Sequence, residues 1–534
     1  MVSVQISLTF AAVFINHYKK MKKILLSAAA LLAASTAFAG GYLTNTNQSV
    51  AFLRNPARLA TFELDGAYSN PAGLAWLGNG WHFGLNIQNA AQTREINSTY
   101  APFAYNINHL GQASKNFKGE ATAPVVPSFD IAYQKDNWTI STHFGITGGG
   151  GKATFNDGLP MFESSVAYPN LCTNMVIDGM NQVNSLIGMP QIEKPYGYQM
   201  ETYMSGRQYI FGLQAGLTYK IFDNLGDLKQ GLSAHLGARM NFASNAYEGY
   251  LRNLNVVGAK GNKFPLQQFI GHTSNDAAKM SEILSKVPGK EVEAAAFAEH
   301  AKTLRGVATQ MTDKELDCDQ KGWGIAPIIG LDYRIGEFNL GMRYEFMTEM
   351  NIENKTKVNS TGIPTFSDGV NTPNDIPAIL SIGGQYNILN KVHVMAGWNC
   401  YFDKKADMGG KEKTLNHNTH EITAGVEWDI NDRLTVSGGY QNTDYGTSDA
   451  FQSDLSFHCD SYSLGFGAKM KIRKNLAVEI AYFWTNYKDY DINSEDYFQT
   501  KSPLPLPAGH VVVPGKDVFS RTNRVFGLGI SYSL

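Results

Sequence analysis

Three groups of residues in this 534-residue chain have types and spacings that could do chemistry. The first is a set of ionisable side chains, His82, Asp130, His143, Arg239, Asp332, Arg343, Glu345, Glu427 and Glu479, each lying where apolar and polar residues alternate. Placed on the wall of a water-filled interior, such groups either keep that interior wet and rigid or serve a transported substrate. The second is the pair Asn55-Pro56-Ala57 and Asn70-Pro71-Ala72-Gly73, whose residue types favour tight turns. The third is Gly148, Gly149, Gly150 and Gly151, a run with no side chains to brace a sheet. It is not a phosphate-binding loop, because no strand follows at once and Pro160 breaks the next stretch. Neither a Gly-x-Ser-x-Gly elbow nor a His-Glu-x-x-His helix occurs, and His143 and His235 are scattered, so no enzyme, cofactor or metal site is expected.

The elements that must position these residues are strands. From Arg524 onward Phe526, Leu528, Ile530, Tyr532 and Leu534 alternate with small or polar residues, the period-two mark of a strand with one apolar face. Thirteen earlier segments share the pattern, beginning near Trp81, Phe129, Trp138, Tyr209, Leu232, Ile325, Leu340, Leu380, Val392, Ile422, Leu434, Tyr462 and Leu476. Short turns such as 135–137, 334–337, 387–390, 430–433 and 473–475 alternate with connections of tens of residues. The pattern predicts an all-β fold, a 14-stranded antiparallel transmembrane barrel with tight periplasmic turns and long outer loops. Alternation then sends the apolar residues to lipid and the charges to the lumen.

An export signal agrees with this. Met21-Lys22-Lys23 precedes an apolar stretch from Ile24 to Ala34 and the small-residue pattern Ala37-Phe38-Ala39, so residues 1–39 are expected to be an upstream extension plus a signal peptide cleaved near Ala39. Residues 40–80 precede the first strand as a compact, turn-rich segment that a plain pore would not need, and are expected to plug the lumen; 81–534 form the barrel. Lys plus Arg (45) balance Asp plus Glu (47) with no long basic cluster, which argues against nucleic acid. The 52 Gly, 26 Tyr and 29 Phe suit close strand packing and aromatic belts.

Between the fifth and sixth strands an insertion at about 273–312 carries two helical stripes, Met280, Ile283, Leu284 and Val287, then Phe297, Ala301, Leu304, Ala308 and Met311, joined at Pro288-Gly289. On an outer loop they form either a greasy groove that captures a hydrophobic molecule or a lid that buries its own faces. Cys172, Cys318, Cys400 and Cys459 are too far apart for a metal ribbon. They are either all free or joined, with Cys172–Cys318 the favoured pair as two residues of long loops on one side.

With Asn70-Pro71-Ala72 just before the first strand, a leading segment of hatch size, fourteen strands, and Ala153-Thr154-Phe155-Asn156-Asp157 just past the third strand, the chain resembles the long-chain fatty acid and hydrophobic compound transporters of the FadL and TodX kind. The resemblance covers essentially the mature chain and is strongest over residues 41–160. It implies a monomer of the Gram-negative outer membrane, a hatch that moves when substrate binds, and sideways release of fatty acids or aromatic hydrocarbons through the wall into lipid, with Gly148 to Gly151 as the kink or as a flexible hinge. The terminal residue is Leu534 where many outer-membrane proteins end in Phe, and the loops are longer than is usual in the family. A structural or adhesive surface barrel is the alternative, and an outer-membrane lipase or protease a more distant one.

Overall fold

The computed structural model describes residues 45–501 and 510–534. The expected signal peptide and the extension expected before it lie outside the described residues. Fourteen antiparallel strands make one closed wall: β1 (Gly80–Tyr100), β2 (Ser114–Lys135), β3 (Trp138–Phe155), β4 (Gly197–Leu225), β5 (Gln230–Val257), β6 (Lys314–Ile335), β7 (Phe338–Glu345), β8 (Ile379–Ile388), β9 (Val392–Tyr401), β10 (Thr419–Asp429), β11 (Leu434–Asp444), β12 (Ser461–Arg473), β13 (Leu476–Tyr487) and β14 (Gly515–Ser533). Each pairs with its neighbour in sequence, and β14 returns to β1 with His82 opposite Ser533 and Tyr100 opposite Gly515, so neither terminal strand keeps a free edge.

Alternation sorts the two faces as expected. Leu236 is 68% exposed and Ile140 60%, whereas His143 is fully buried, as are or nearly are Asp130, Arg239, Asp332, Arg343 and Glu345. An apolar belt facing outward and ionisable groups facing inward is the only stable arrangement for a barrel wall in lipid. At the short-turn end, rings meet in tilted pairs, Trp81 with Tyr133 at 4.7 Å and Trp138 with Tyr219 at 4.5 Å, as suits a belt at a membrane interface. No helix among the described residues is long and apolar enough to cross a membrane.

The wall is uneven. β4 has 29 residues and β5 has 28, far beyond the roughly 9–11 that a tilted strand needs to cross hydrocarbon, so that side stands tall above the belt. At the tall side the loops build the main apolar core. Its helices are α3 (Pro160–Ile187), α4 (Leu266–Ser285) and α5 (Glu291–Ala308), the shorter α1 (Val50–Arg54) and α2 (Gly66–Ser69) belonging to the leading segment. The helical insertion therefore starts at Leu266, ahead of the expected boundary at 273. α3 is a correction: Pro160 does not break that stretch but opens a helix as its first residue, a position where proline's missing N–H costs nothing. The Ala153 to Phe155 part of the motif placed past the third strand lies within β3, which runs to Phe155.

Candidate functional site

Residues 45–79 cross the inward faces of the strands as two short helices and a 3-10 turn. Their sequence repeats itself, Asn55-Pro56-Ala57-Arg58-Leu59-Ala60 against Asn70-Pro71-Ala72-Gly73-Leu74-Ala75, and each copy meets the wall where strand glycines leave room. A Cβ on Gly425 would stand 1.9 Å from Asn55 Oδ1, and one on Gly341 would stand 2.0 Å from the Leu59 carbonyl oxygen. In the second copy Asn70 Nδ2 donates to the carbonyls of Leu59 (3.1 Å) and Leu331 (3.2 Å), while the carbonyls of Pro71 and Ala72 accept from Thr218 (2.9 Å) and Ser233 (2.7 Å). These bonds satisfy buried backbone that irregular chain would otherwise leave unpaired.

Between the two copies lies a charge network. Arg54 donates to Glu427 (2.8 Å), Glu479 (3.0 Å) and Glu63 (2.9 Å), and Arg58 to Glu427 (2.7 Å), Asp65 (2.8 Å) and Glu63 (2.7 Å). Lys469 completes it with Glu63 at 2.6 Å. Two buried guanidiniums surrounded by carboxylates fix the segment in register, since removing either side leaves charge buried and unpaired. Trp76 Nε1 donates to Asp332 at 2.8 Å, and Arg343 donates to the Tyr68 carbonyl. Most of the inward ionisable residues singled out from sequence thus hold the leading segment or one another, as in Arg239 with Glu345 at 2.7 Å.

The glycine run lies inside β3, and the ladder beside it is broken. β2 and β3 pair up to Phe129–Phe144 and resume at Ala121–Ala153, with no pairs between, while β2 stays bonded to β1 and β3 to β4. Gly149 and Gly151 take φ of 93° and 74°, which β-carbon-bearing residues rarely adopt. On the other side of the break β2 carries Pro124 and Pro127, which have no N–H to give a neighbour and belong at edges or bulges. The sequence held that second signal, and reading the glycines alone missed it. The break opens just above the stacked rings of Phe129 and Phe144, with Val125 at its outer rim 61% exposed.

The start of the leading segment supplies the bonds that the break removes. Asn45 N donates to the Thr147 carbonyl at 2.8 Å, Gln48 Nε2 to the Ile146 carbonyl at 2.8 Å, and Ser128 Oγ of β2 donates to the Gln48 carbonyl. Behind it is a cavity of about 190 Å³ lined by Asn45, Asn47, Gln92, Ile146, Gly149 to Gly151 and Tyr209 among others. A gap in the wall, a chain segment bridging it and an interior space therefore meet at one place.

The loop-helix residues lie elsewhere, and most are covered. Met280 is 4% exposed, Leu284 4%, Phe297 2% and Leu304 0%, with Ile283 half-buried and only Val287 well exposed at 40%. α4 and α5 close on each other, Ser274 donating to the Ala301 carbonyl at 2.6 Å and Ser281 to that of Ala294 at 2.6 Å, and α3 lies against Phe297 at Gly179. Here the stripe is a lid core. The favoured Cys172–Cys318 bridge does not form: Cys172 lies on α3, Cys318 on β6 and not in a loop, and all four cysteines are free and buried.

A closed fourteen-stranded wall with a lipid belt and a charged interior defines a transmembrane β-barrel of the outer-membrane class. No family model and no curated protein matches the chain. Among solved structures it is similar to a FadL homologue of Pseudomonas aeruginosa, at 12% identity and TM-score 0.54, over 92% of this chain and 99% of that one. It is also similar to the P. putida toluene transporter TodX (12% identity, 88% and 94% covered, TM-score 0.45) and the Ralstonia pickettii toluene transporter TbuX (12%, 91% and 98%, 0.45). The fold is that of the FadL-type outer-membrane transporters.

Proposed function

We propose that this protein takes up hydrophobic compounds across the outer membrane, with residues 40–80 as a hatch and the β2–β3 break as a side exit into lipid. The observation that carries the proposal is the bridging of the break by Asn45 and Gln48, because withdrawal of those two residues frees the β3 carbonyls and joins the interior cavity to the gap in a single movement. Lateral exit spares an apolar cargo from water on the periplasmic side, and each methylene kept in lipid is worth about 0.8 kcal/mol. α3, α4 and α5 form the outer cap over the lumen, which must part for entry.

Cargo of this kind is a long-chain fatty acid or an aromatic hydrocarbon, and the P. putida and R. pickettii barrels named above are toluene transporters. Equilibrium binding of radiolabelled oleate and of toluene to the purified barrel tests the proposal: saturable retention of at least one is expected. A barrel that retains neither is an adhesive or structural surface protein.

A further inference from the structure

In the apolar core that the loops build, one lysine is enclosed with two aspartates. Lys501 ends the short helix Tyr497–Lys501 between β13 and β14, Asp454 lies in the loop between β11 and β12, and Asp517 stands near the start of β14. Lys501 Nζ donates to Asp454 Oδ1 and lies 2.5 Å from Asp517 Oδ2. All three residues are buried, with Nζ over the Tyr497 ring at 5.3 Å and the Phe519 ring at 5.7 Å. Among the described residues no other lysine holds two carboxylates so closely: Lys469 has them at 2.6 and 3.8 Å, and Lys357 at 3.2 and 3.4 Å.

The remaining carboxylate oxygens are held as well. Asp454 Oδ2 accepts from the Met161 N–H at 2.7 Å, one of the leading α3 donors that no helical carbonyl meets, and Asp517 Oδ1 accepts from Tyr497 Oη (2.8 Å) and Ser98 Oγ (2.5 Å). Each group thus has its own position in one reaction. Nζ is placed to attack Asp454 Cγ, the Met161 N–H stands where negative charge would gather on Oδ2, and Asp517 Oδ2 is in reach of the ammonium protons. Burial pushes the Asp454 carboxyl up against the pull of Lys501, toward its neutral form; against burial, Asp454 and Asp517 hold the Lys501 amine above its ordinary value. The amine must therefore pass a proton to a carboxylate before it can attack. Keeping an ammonium and two carboxylates ionised among aromatic rings is costly. Groups fixed in contact react as if at roughly 10⁵–10⁸ M, so condensation is open to this lysine as it is not to one in water.

We propose that Lys501 and Asp454 join in an intramolecular isopeptide bond, with Asp517 as the proton carrier. Asp517 takes a proton from the ammonium, Nζ attacks Cγ of Asp454, and the Nζ–Cγ bond forms as the Cγ–Oδ1 bond breaks. Two of the three ammonium protons end on Oδ1, which leaves as water; the third stays on the amide nitrogen, and Asp517 finishes as the carboxylate it began as. Oδ2 becomes the amide oxygen, still bonded to the Met161 N–H. A cavity of about 520 Å³ lined by all three residues and Met161 receives the water. The bond staples the β11–β12 loop to the segment ahead of β14 and does not depend on what the barrel carries.

The test is mass spectrometry of the full-length barrel purified from the outer membrane, first intact and then after denaturation and proteolysis. K501R and D517N are run beside it, each checked for folding by its heat-dependent gel mobility. The parent protein is expected to weigh one water less than its mature sequence and to yield a branched peptide joining Lys501 to Asp454. Folded K501R and D517N are expected at full mass with the two peptides separate. Separate peptides from the parent protein overturn the bond, whatever the variants do, and so does the loss of one water without a branched peptide. A branched peptide that persists in D517N keeps the bond and overturns the role of Asp517.

Discussion

On the proposed hatch, single side chains would decide whether the leading segment stays in place. Among the described residues Arg54 alone bonds Glu427, Glu479 and Glu63 from one position; Arg54→Ala leaves Glu427 and Glu63 to Arg58 and Lys469 but Glu479 with only Lys469 at 3.8 Å, at a cost of about 3 kcal/mol. That loss falls on the docking of the segment and not on the strand ladder. Arg54→Ala is therefore expected to raise ion conductance in planar bilayers while leaving heat-dependent gel mobility unchanged; a silent barrel with normal conductance would show that the network holds nothing. A second residue reads the outer cap. Burial pushes His300 on α5 down to about 4, from an ordinary value of 6.5. The folded cap holds the ring neutral, so above pH 6.5 the group contributes no pH dependence. As pH falls from 6.5 to 4 the unfolded loop takes up a proton that the folded one refuses, and the cap loses up to about 3 kcal/mol. Hydrogen exchange across Glu291–Ala308 should show that decline and show it flattened in His300→Gln; a cap equally protected at pH 7 and pH 4.5 contradicts it.

At the scale of elements, the strands were legible in the sequence because each carries its own apolar face, and every predicted segment lies in one of β1 to β14. The inward ionisable residues were legible for the same reason. What could not be read were partners distant in sequence, since nothing local joins Arg54 to Glu427; the parting of β2 and β3 between Phe129 and Ala121 was signalled only by Pro124 and Pro127 together with the glycine run. α3 was missed although Val166, Thr173, Val176, Ile177, Met180 and Asn184 recur at helical spacing and are buried, because Pro160 was taken as a breaker and not as a helix start. The cysteine pairing failed since spacing says nothing of which face a cysteine occupies. The same scale yields a prediction for the hatch. Deleting Gly40 to Gly78 removes every bond described between the leading segment and the wall, and should turn a closed barrel into a leaky one; conductance unchanged from the intact protein would count against an internal plug.

For the whole molecule, the proposed function would resolve a conflict between two solvents. On that proposal, a wall that must be sealed against ions would also have to pass a water-hating cargo into lipid, and a break bridged by a detachable segment would do both. The tall strands from β4 to β6 and the helices over them are the proposed shelter of the entry, while the belt below meets hydrocarbon.

The side exit is tested most directly by Gly149→Val/Gly150→Val. A Cβ at Gly149 would stand 2.2 Å from the Gln208 carbonyl oxygen and one at Gly150 1.9 Å from Arg94 Nη2, so the kink cannot persist with valine in both places. In cells expressing equal amounts of folded barrel, uptake of labelled oleate should fall ten-fold or more while binding to the purified protein changes by less than three-fold. Uptake and binding reduced in equal proportion would contradict passage through the wall.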